Sequence, residues 1–197
     1  MTPRVRTQTT PATFCDALRA AWSLRFGELP SDRATALLWA QHALETGRGS
    51  SCYCWNVGNR KARYGEPYCE LYTWEIIGGK RVDLVDKFAA FDSLQAGVAD
   101  WLELFSRQHY SGALEAVRCG DAASYANALR LAGYYTASET DYARGLASLQ
   151  REALSATERP SDRPTTLLPE APPEWQPQTS AATAFPGIVP VVDSEAP

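Results

Sequence analysis

Apolar residues recur at helical spacing over separate stretches of the chain: Phe14, Leu18, Ala21, Trp22 and Phe26; Leu94, Val98, Trp101, Leu102 and Phe105; Tyr142, Leu146, Leu149 and Ala153. Side chains three and four residues apart share one face of a helix, so each stretch predicts an amphipathic helix whose aromatic and leucine stripe faces the core. Ser31, Ser93 and Asp121 stand where N-caps are needed for the second, third and a later helix, and Gly47 and Gly133 stand where helices should stop. Between Gly49 and Asp92 the helical period is lost. There Glu70-Leu71-Tyr72-Thr73-Trp74-Glu75-Ile76-Ile77 is rich in strand formers, Gly78-Gly79 supplies a turn, and Lys80-Arg81-Val82-Asp83-Leu84-Val85 returns. The pattern predicts an α+β, mainly helical chain with a small β-hairpin lobe. A hairpin inserted after an acidic helix end suggests a lysozyme-like fold, with two lobes around a cleft.

Length allows one sizeable core in 197 residues. From Ser155 onward prolines recur and Cys, Tyr and Lys disappear, a composition that buries too little apolar surface to offset ordering entropy. The division expected is a flexible N-terminus at 1–11, a folded domain at 12–154 and a Pro-rich tail at 155–197, with Phe185-Pro186-Gly187-Ile188-Val189-Pro190-Val191-Val192 as a docking strip. A formal charge of -4 with scattered Lys and Arg argues against a nucleic-acid partner. The polar N-terminus lacks the apolar run of a secretory signal, and no segment is apolar enough to insert into a membrane, so synthesis in the cytoplasm is expected. The five cysteines, Cys15, Cys52, Cys54, Cys69 and Cys119, form no paired metal motif. Free thiols are expected, the alternative being a clip from Cys69 to Cys52 or Cys54. No metal and no cofactor are implied.

Glu45 is the first candidate for chemistry. It closes an apolar helix just before Gly47 and Gly49, where a carboxyl group is partly desolvated yet within reach of substrate, as a general acid requires. Glycosidic cleavage needs such a proton donor and stabilisation of an oxocarbenium-like transition state, commonly from a second carboxylate. The hairpin offers Glu70 and Glu75, which alternation sends to opposite faces of the strand. Glu75, beside Trp74 and near the turn, is the better placed. Tyr53, Trp55, Tyr64, Tyr68, Tyr72, Trp74, Tyr134 and Tyr135 offer flat surfaces for sugar rings, about half of them expected in the core. His42 shares the side of Glu45, and with only His109 elsewhere a hydrogen-bonded structural role fits it better than metal ligation. There is no Gly-x-Ser-x-Gly elbow, P-loop or His-Glu-x-x-His, and a cysteine nucleophile at Cys52 or Cys54 paired with His109 is disfavoured.

These segments resemble the bacterial and phage glucosaminidases of glycoside hydrolase family seventy-three, which include flagellar peptidoglycan hydrolases. Ala40-Gln41-His42-Ala43-Leu44-Glu45-Thr46-Gly47-Arg48-Gly49 is similar to the family's Ala-Gln-x-Ala-Leu-Glu-Ser/Thr-Gly-x-Gly helix end, whose Glu is the catalytic acid. Trp55-Asn56-Val57-Gly58-Asn59-Arg60-Lys61-Ala62 and Lys87-Phe88-Ala89-Ala90-Phe91-Asp92-Ser93 resemble the segments that follow it and that close the β lobe. Leu129-Arg130-Leu131-Ala132-Gly133-Tyr134-Tyr135-Thr136 and Asp141-Tyr142-Ala143 resemble the Ala-Gly-Tyr-x-Thr and Asp-x-Tyr-Ala elements. The resemblance implies catalytic roles for Glu45, for Glu75 as second carboxylate and for Tyr134 beside them. The candidate substrate contacts are Asn56, Trp74, Tyr72, Tyr135 and Tyr142. Arg48, where the family often has Trp, and Ala89, where it has Arg, depart from the pattern and weaken what it implies about subsites.

The function expected is a peptidoglycan hydrolase, an endo-β-N-acetylglucosaminidase cutting the β-1,4 bond after N-acetylglucosamine. It would act on the cell wall as a phage tail or injection-device component, docked through the 155–197 tail, or be released at lysis as an endolysin. The competing expectations are a structural or wall-binding particle component with little catalysis, and a lytic transglycosylase.

Overall fold

The computed structural model describes residues 1–78 and 80–157, without the side chains of residues 74–77 and 157. The Phe185–Val192 strip therefore lies outside the described residues. The first helix, α1 (Pro11–Phe26), starts on a reciprocal Thr10–Thr13 cap with Pro11 in its first turn, and buries Phe14, Ala17, Leu18 and Trp22. Ser31 caps α2 (Asp32–Thr46) by accepting from Ala34 N–H, and Gly47 ends it in the left-handed conformation at φ 57°. Every residue from Ala34 to Ala43 is buried. A helix buried on all sides, here with Thr35, Gln41 and His42 among its buried residues, lies at the centre of the body, which is why α2 shows no helical period in the sequence.

The hairpin consists of β1 (Tyr68–Ile77) and β2 (Lys80–Ala89), paired antiparallel from Tyr68↔Ala89 to Ile77↔Lys80. It is longer at its base than the sequence pattern predicts, because Cys69, Phe88 and Ala90 pack with Cys54 in a small core of their own. Next come α3 (Leu94–Leu102), capped by Ser93, two short 3-10 turns at Glu103–Ser106 and Gln108–Tyr110, and α4 (Ser111–Cys119). The last described elements are α5 (Ala122–Leu131), capped by Asp121, and α6 (Glu139–Thr157). The α4 helix was not anticipated. It is only nine residues long, and the side chains it buries, Ala113, Ala116 and Val117, are small. The described residues match the expected α+β, lysozyme-like arrangement of helices with a single small hairpin.

Two close approaches hold the parts together. At Gly145 of α6 a Cβ atom would sit 3.2 Å from Leu44 Cδ1, so α6 packs tightly along α2. Gln150 Nε2 donates to Arg33 O and Gly120 O, both at 3.0 Å, fastening α6 to the start of α2 and to the turn after α4.

The N-terminal segment, expected to be flexible, makes backbone hydrogen bonds to the rest of the body. It lies along the loop that follows α2: Thr7 N–H donates to Cys52 O at 2.9 Å, Cys54 N–H to Val5 O at 2.8 Å, and Thr2 N–H to Tyr68 O at 2.7 Å. Thr7 and Thr9 are buried. Polar threonines withstand burial here because their hydroxyls have partners: Thr7 Oγ1 accepts from Trp55 N–H at 2.8 Å, and Thr9 Oγ1 meets His42 Nε2 at 2.7 Å.

Candidate active site

Glu45 occupies the last turn of α2, half-buried, one residue before the helix ends. Burial pushes its carboxyl up to about 8, and only the Tyr142 hydroxyl, donating to Oε1 at 3.3 Å, works against that. The negative pole of the helix end disfavours ionisation too. The group is therefore protonated at neutral pH, the state in which an acid can donate.

Around it stands a cluster of tyrosines from three later parts of the chain. Tyr142 of α6, Tyr134 from the turn after α5 and Tyr125 of α5 are all buried, and each phenol is pushed well above its ordinary range, first by burial and then by the charge of Glu45. Tyr125 also bonds the Oε1 of Gln41, which sits one turn before Glu45 on α2. Tyr110 packs edge-on against Tyr134 with ring centroids 6.5 Å apart. Gln41 stands in the helix-end motif without an assigned role, and Tyr110 and Tyr125 had no part in the sequence reading of the site. The available signal was a tyrosine interrupting the aliphatic stripe Ala122, Ala126 and Leu129 of α5.

The remaining candidates divide. Tyr134 and Tyr142 come together with Glu45, but as buried neighbours of its carboxyl group. Tyr135 is buried as well: it stacks on Tyr142 at 4.1 Å and its hydroxyl donates to Ala126 O at 2.9 Å, so it supports Tyr142 instead of offering a face to sugar. Asn56 is likewise turned inward. Its Nδ2 donates to Arg60 O at 2.8 Å and its Oδ1 accepts from Arg60 N–H at 2.9 Å, leaving the amide committed to the loop. Arg60 in turn forks onto Asp100 of α3, at 2.9 and 3.0 Å, and reaches Glu66 at 2.8 Å. Tyr72 is 83% exposed on the hairpin. Glu75 and Trp74 pair in backbone register with Val82 and Asp83, and their side chains lie outside the described residues. Glu70 is exposed on the same strand.

His42 is a holding residue. Val57 O can only accept, so Nδ1, 2.8 Å away, carries the proton and Nε2 receives the Thr9 hydroxyl. Burial pushes His42 down to about 4, and its neutral ring stacks on Phe14 at 4.6 Å. It joins α2 to the N-terminal segment and to the loop behind Glu45. Arg48, beyond the helix end, forks onto Glu152 of α6 at 3.1 and 2.8 Å. Cys15, Cys52, Cys54, Cys69 and Cys119 are all free thiols. Among the described residues no group of three or more metal-ligating side chains comes together, and no helix is long and apolar enough to cross a membrane.

A family model described as Glucosaminidase, mannosyl-glycoprotein endo-beta-N-acetylglucosaminidase, matches residues 32–154. The chain belongs to the glucosaminidase family. Membership makes it a glycoside hydrolase, and the matched span runs from the start of α2 into α6, enclosing Glu45 and the tyrosine cluster. Among solved structures it is similar to the glycoside hydrolase domain of FlgJ from Salmonella typhimurium, at 26% identity and a TM-score of 0.52, over 73% of this chain and 95% of that one. A peptidoglycan hydrolase mutant from Sphingomonas sp. A1 is 27% identical, with a TM-score of 0.53 over 73% of this chain and 98% of that one. The catalytic domain of the autolysin Auto from Listeria monocytogenes, at 20% identity, shares the fold with a TM-score of 0.56 over 78% of this chain and 89% of its own. A comparison with curated proteins gives no match.

Proposed function

We propose that this glucosaminidase hydrolyses the glycan strand of peptidoglycan at the β-1,4 bond following N-acetylglucosamine, with Glu45 as the proton donor. The observation that carries the reading is the Glu45 carboxyl group, protonated at neutral pH at the end of α2 and bonded by Tyr142, in a chain of this family. The similarity to a peptidoglycan hydrolase from Sphingomonas sp. A1 supports the substrate class. In the proposed reaction Glu45 protonates the leaving oxygen as the C–O bond breaks, and a water molecule supplies the incoming oxygen. Glu75 is assigned as base or electrostatic stabiliser of the oxocarbenium-like state. Tyr134 is assigned to orient the acetamido group or the water by way of the Glu45 cluster.

Mass spectrometry of the muropeptides released from purified walls tests it. A reducing N-acetylglucosamine end is expected. An anhydro-muramic end would replace the proposal with a transglycosylase, and no release would remove the activity.

A further inference from the structure

The hairpin carries a second surface that the hydrolytic chemistry leaves unused. Tyr68 and Tyr72 are four residues apart on β1, so alternation puts them on one face, with Glu70 between them. Lys87 pairs with Glu70 across the strands, which places it on that face as well, and its Nζ lies 4.6 Å from the centre of the Tyr68 ring. The N-terminal segment, anchored by Thr2 N–H on Tyr68 O, lays Arg4 over the Tyr72 ring at 5.9 Å. Arg6, two residues further along the same extended segment, lies 5.7 Å from the ring centre of Tyr53, which itself packs against the small core, and is bonded to the Tyr53 hydroxyl at 3.2 Å. At the base of β1 the opposite face is taken up by the small core, where Cys69 is buried and Leu71 packs; Glu75 follows on that face nearer the turn.

The row is thus tyrosine faces each covered by a cation, with Glu70 in register among them and Asp83, ion-paired to Arg81, on the same face nearer the turn, in a chain whose formal charge is -4. Arg4, Arg6, Lys87 and Tyr72 are exposed. A guanidinium stacked on a ring keeps its N–H edge available, and that edge matches a carboxylate. We infer that this strip binds the carboxylates of the peptide stems that branch from the glycan, holding the strand while Glu45 works on the sugar backbone. Charge complementarity selects this occupant: the stems present carboxylates at regular intervals along the polymer that the proposed function names as substrate, on which this inference rests.

The test is co-sedimentation of the full chain with insoluble peptidoglycan whose amines have been acetylated, the stem carboxyls being either free or converted to carboxamides. Exposed charge pairs contribute modestly, so the native chain should bind the free-carboxyl wall about three- to tenfold more tightly than the amidated one. The Arg4→Gln/Arg6→Gln double variant, and separately Lys87→Gln, should lose that margin on the free-carboxyl wall and bind the amidated wall like the native chain. The Lys87 change leaves the docking of the N-terminal segment intact and so covers the case in which the double variant unseats it. Equal loss on both walls, or native binding by both variants, overturns the inference. So does a dependence on phosphate-bearing wall polymers that survives amidation. Because binding is read and not turnover, absence of muropeptide release would sink the proposed function and leave this result to stand or fall by itself.

Discussion

The Tyr142 hydroxyl of α6 donates to Glu45 Oε1 at the end of α2, across 97 residues of sequence. The bond favours the ionised carboxylate, so it holds the Glu45 pKa below the value that burial alone would set. Removing it with Tyr142→Phe should therefore raise that pKa. If Glu45 is the acid, the alkaline limb of the pH–rate profile, expected near 8 in the native chain, moves to higher pH in the variant. A limb that stays in place or moves to lower pH would count against Glu45 as the titrating acid.

Glu45→Gln keeps the shape and removes the proton, and the rate on purified walls should fall by about 10²-fold or more. The same change should stabilise the fold. Between the ordinary carboxyl value of 4.5 and the folded value of about 8, the unfolded chain ionises Glu45 while the folded chain keeps it protonated, so native stability declines as pH rises through that window. Allowing for the partial exposure of the residue, the variant should gain on the order of 2 kcal/mol at pH 8, with the gain vanishing below about pH 4. Urea titrations at both pH values measure it.

His42 has the opposite sign. Its folded value of about 4 lies below the ordinary 6.5, so acidification through this window protonates the unfolded chain first and stability is lost as pH falls. Thr9→Val removes the hydroxyl that serves Nε2 and leaves a buried ring nitrogen without its partner, at a cost of about 1–3 kcal/mol near pH 7. Thermal denaturation checks both, and an unchanged midpoint for Thr9→Val would show that the N-terminal segment is not fastened through His42.

Gly49 lies where the N-terminal segment crosses the loop, at φ 80°, and a Cβ there would meet Thr9 O at 2.3 Å. Gly49→Ala should destabilise by about 2 kcal/mol or more, since neither the backbone conformation nor the space suits a side chain. Proteolysis within residues 1–10 should rise in parallel as the segment detaches.

Asn56→Ala separates a structural role from a binding role. The amide is bonded on both sides to the Arg60 backbone, so the variant should lose about 1–3 kcal/mol of stability with little change in KM on wall substrate. A raised KM at unchanged stability would restore Asn56 to the substrate contacts.

The sequence by itself determined the local features. Ser31, Ser93, Asp121 and Gly47 mark helix ends because capping is satisfied within a few residues, and the hairpin is legible because strand formers flank a glycine turn. Glu45 at the end of an apolar helix was legible for the same reason. What surrounds Glu45 was decided by tertiary structure. Gln41 and Tyr125 meet across 84 residues and Thr9 and His42 across 33, separations at which no period or motif reports a contact. Nor does composition tell a tyrosine that offers its ring to solvent, as Tyr72 does, from one that spends its hydroxyl inside, as Tyr135 does. That choice depends on which helix packs over the residue, and packing is a property of the whole folded chain.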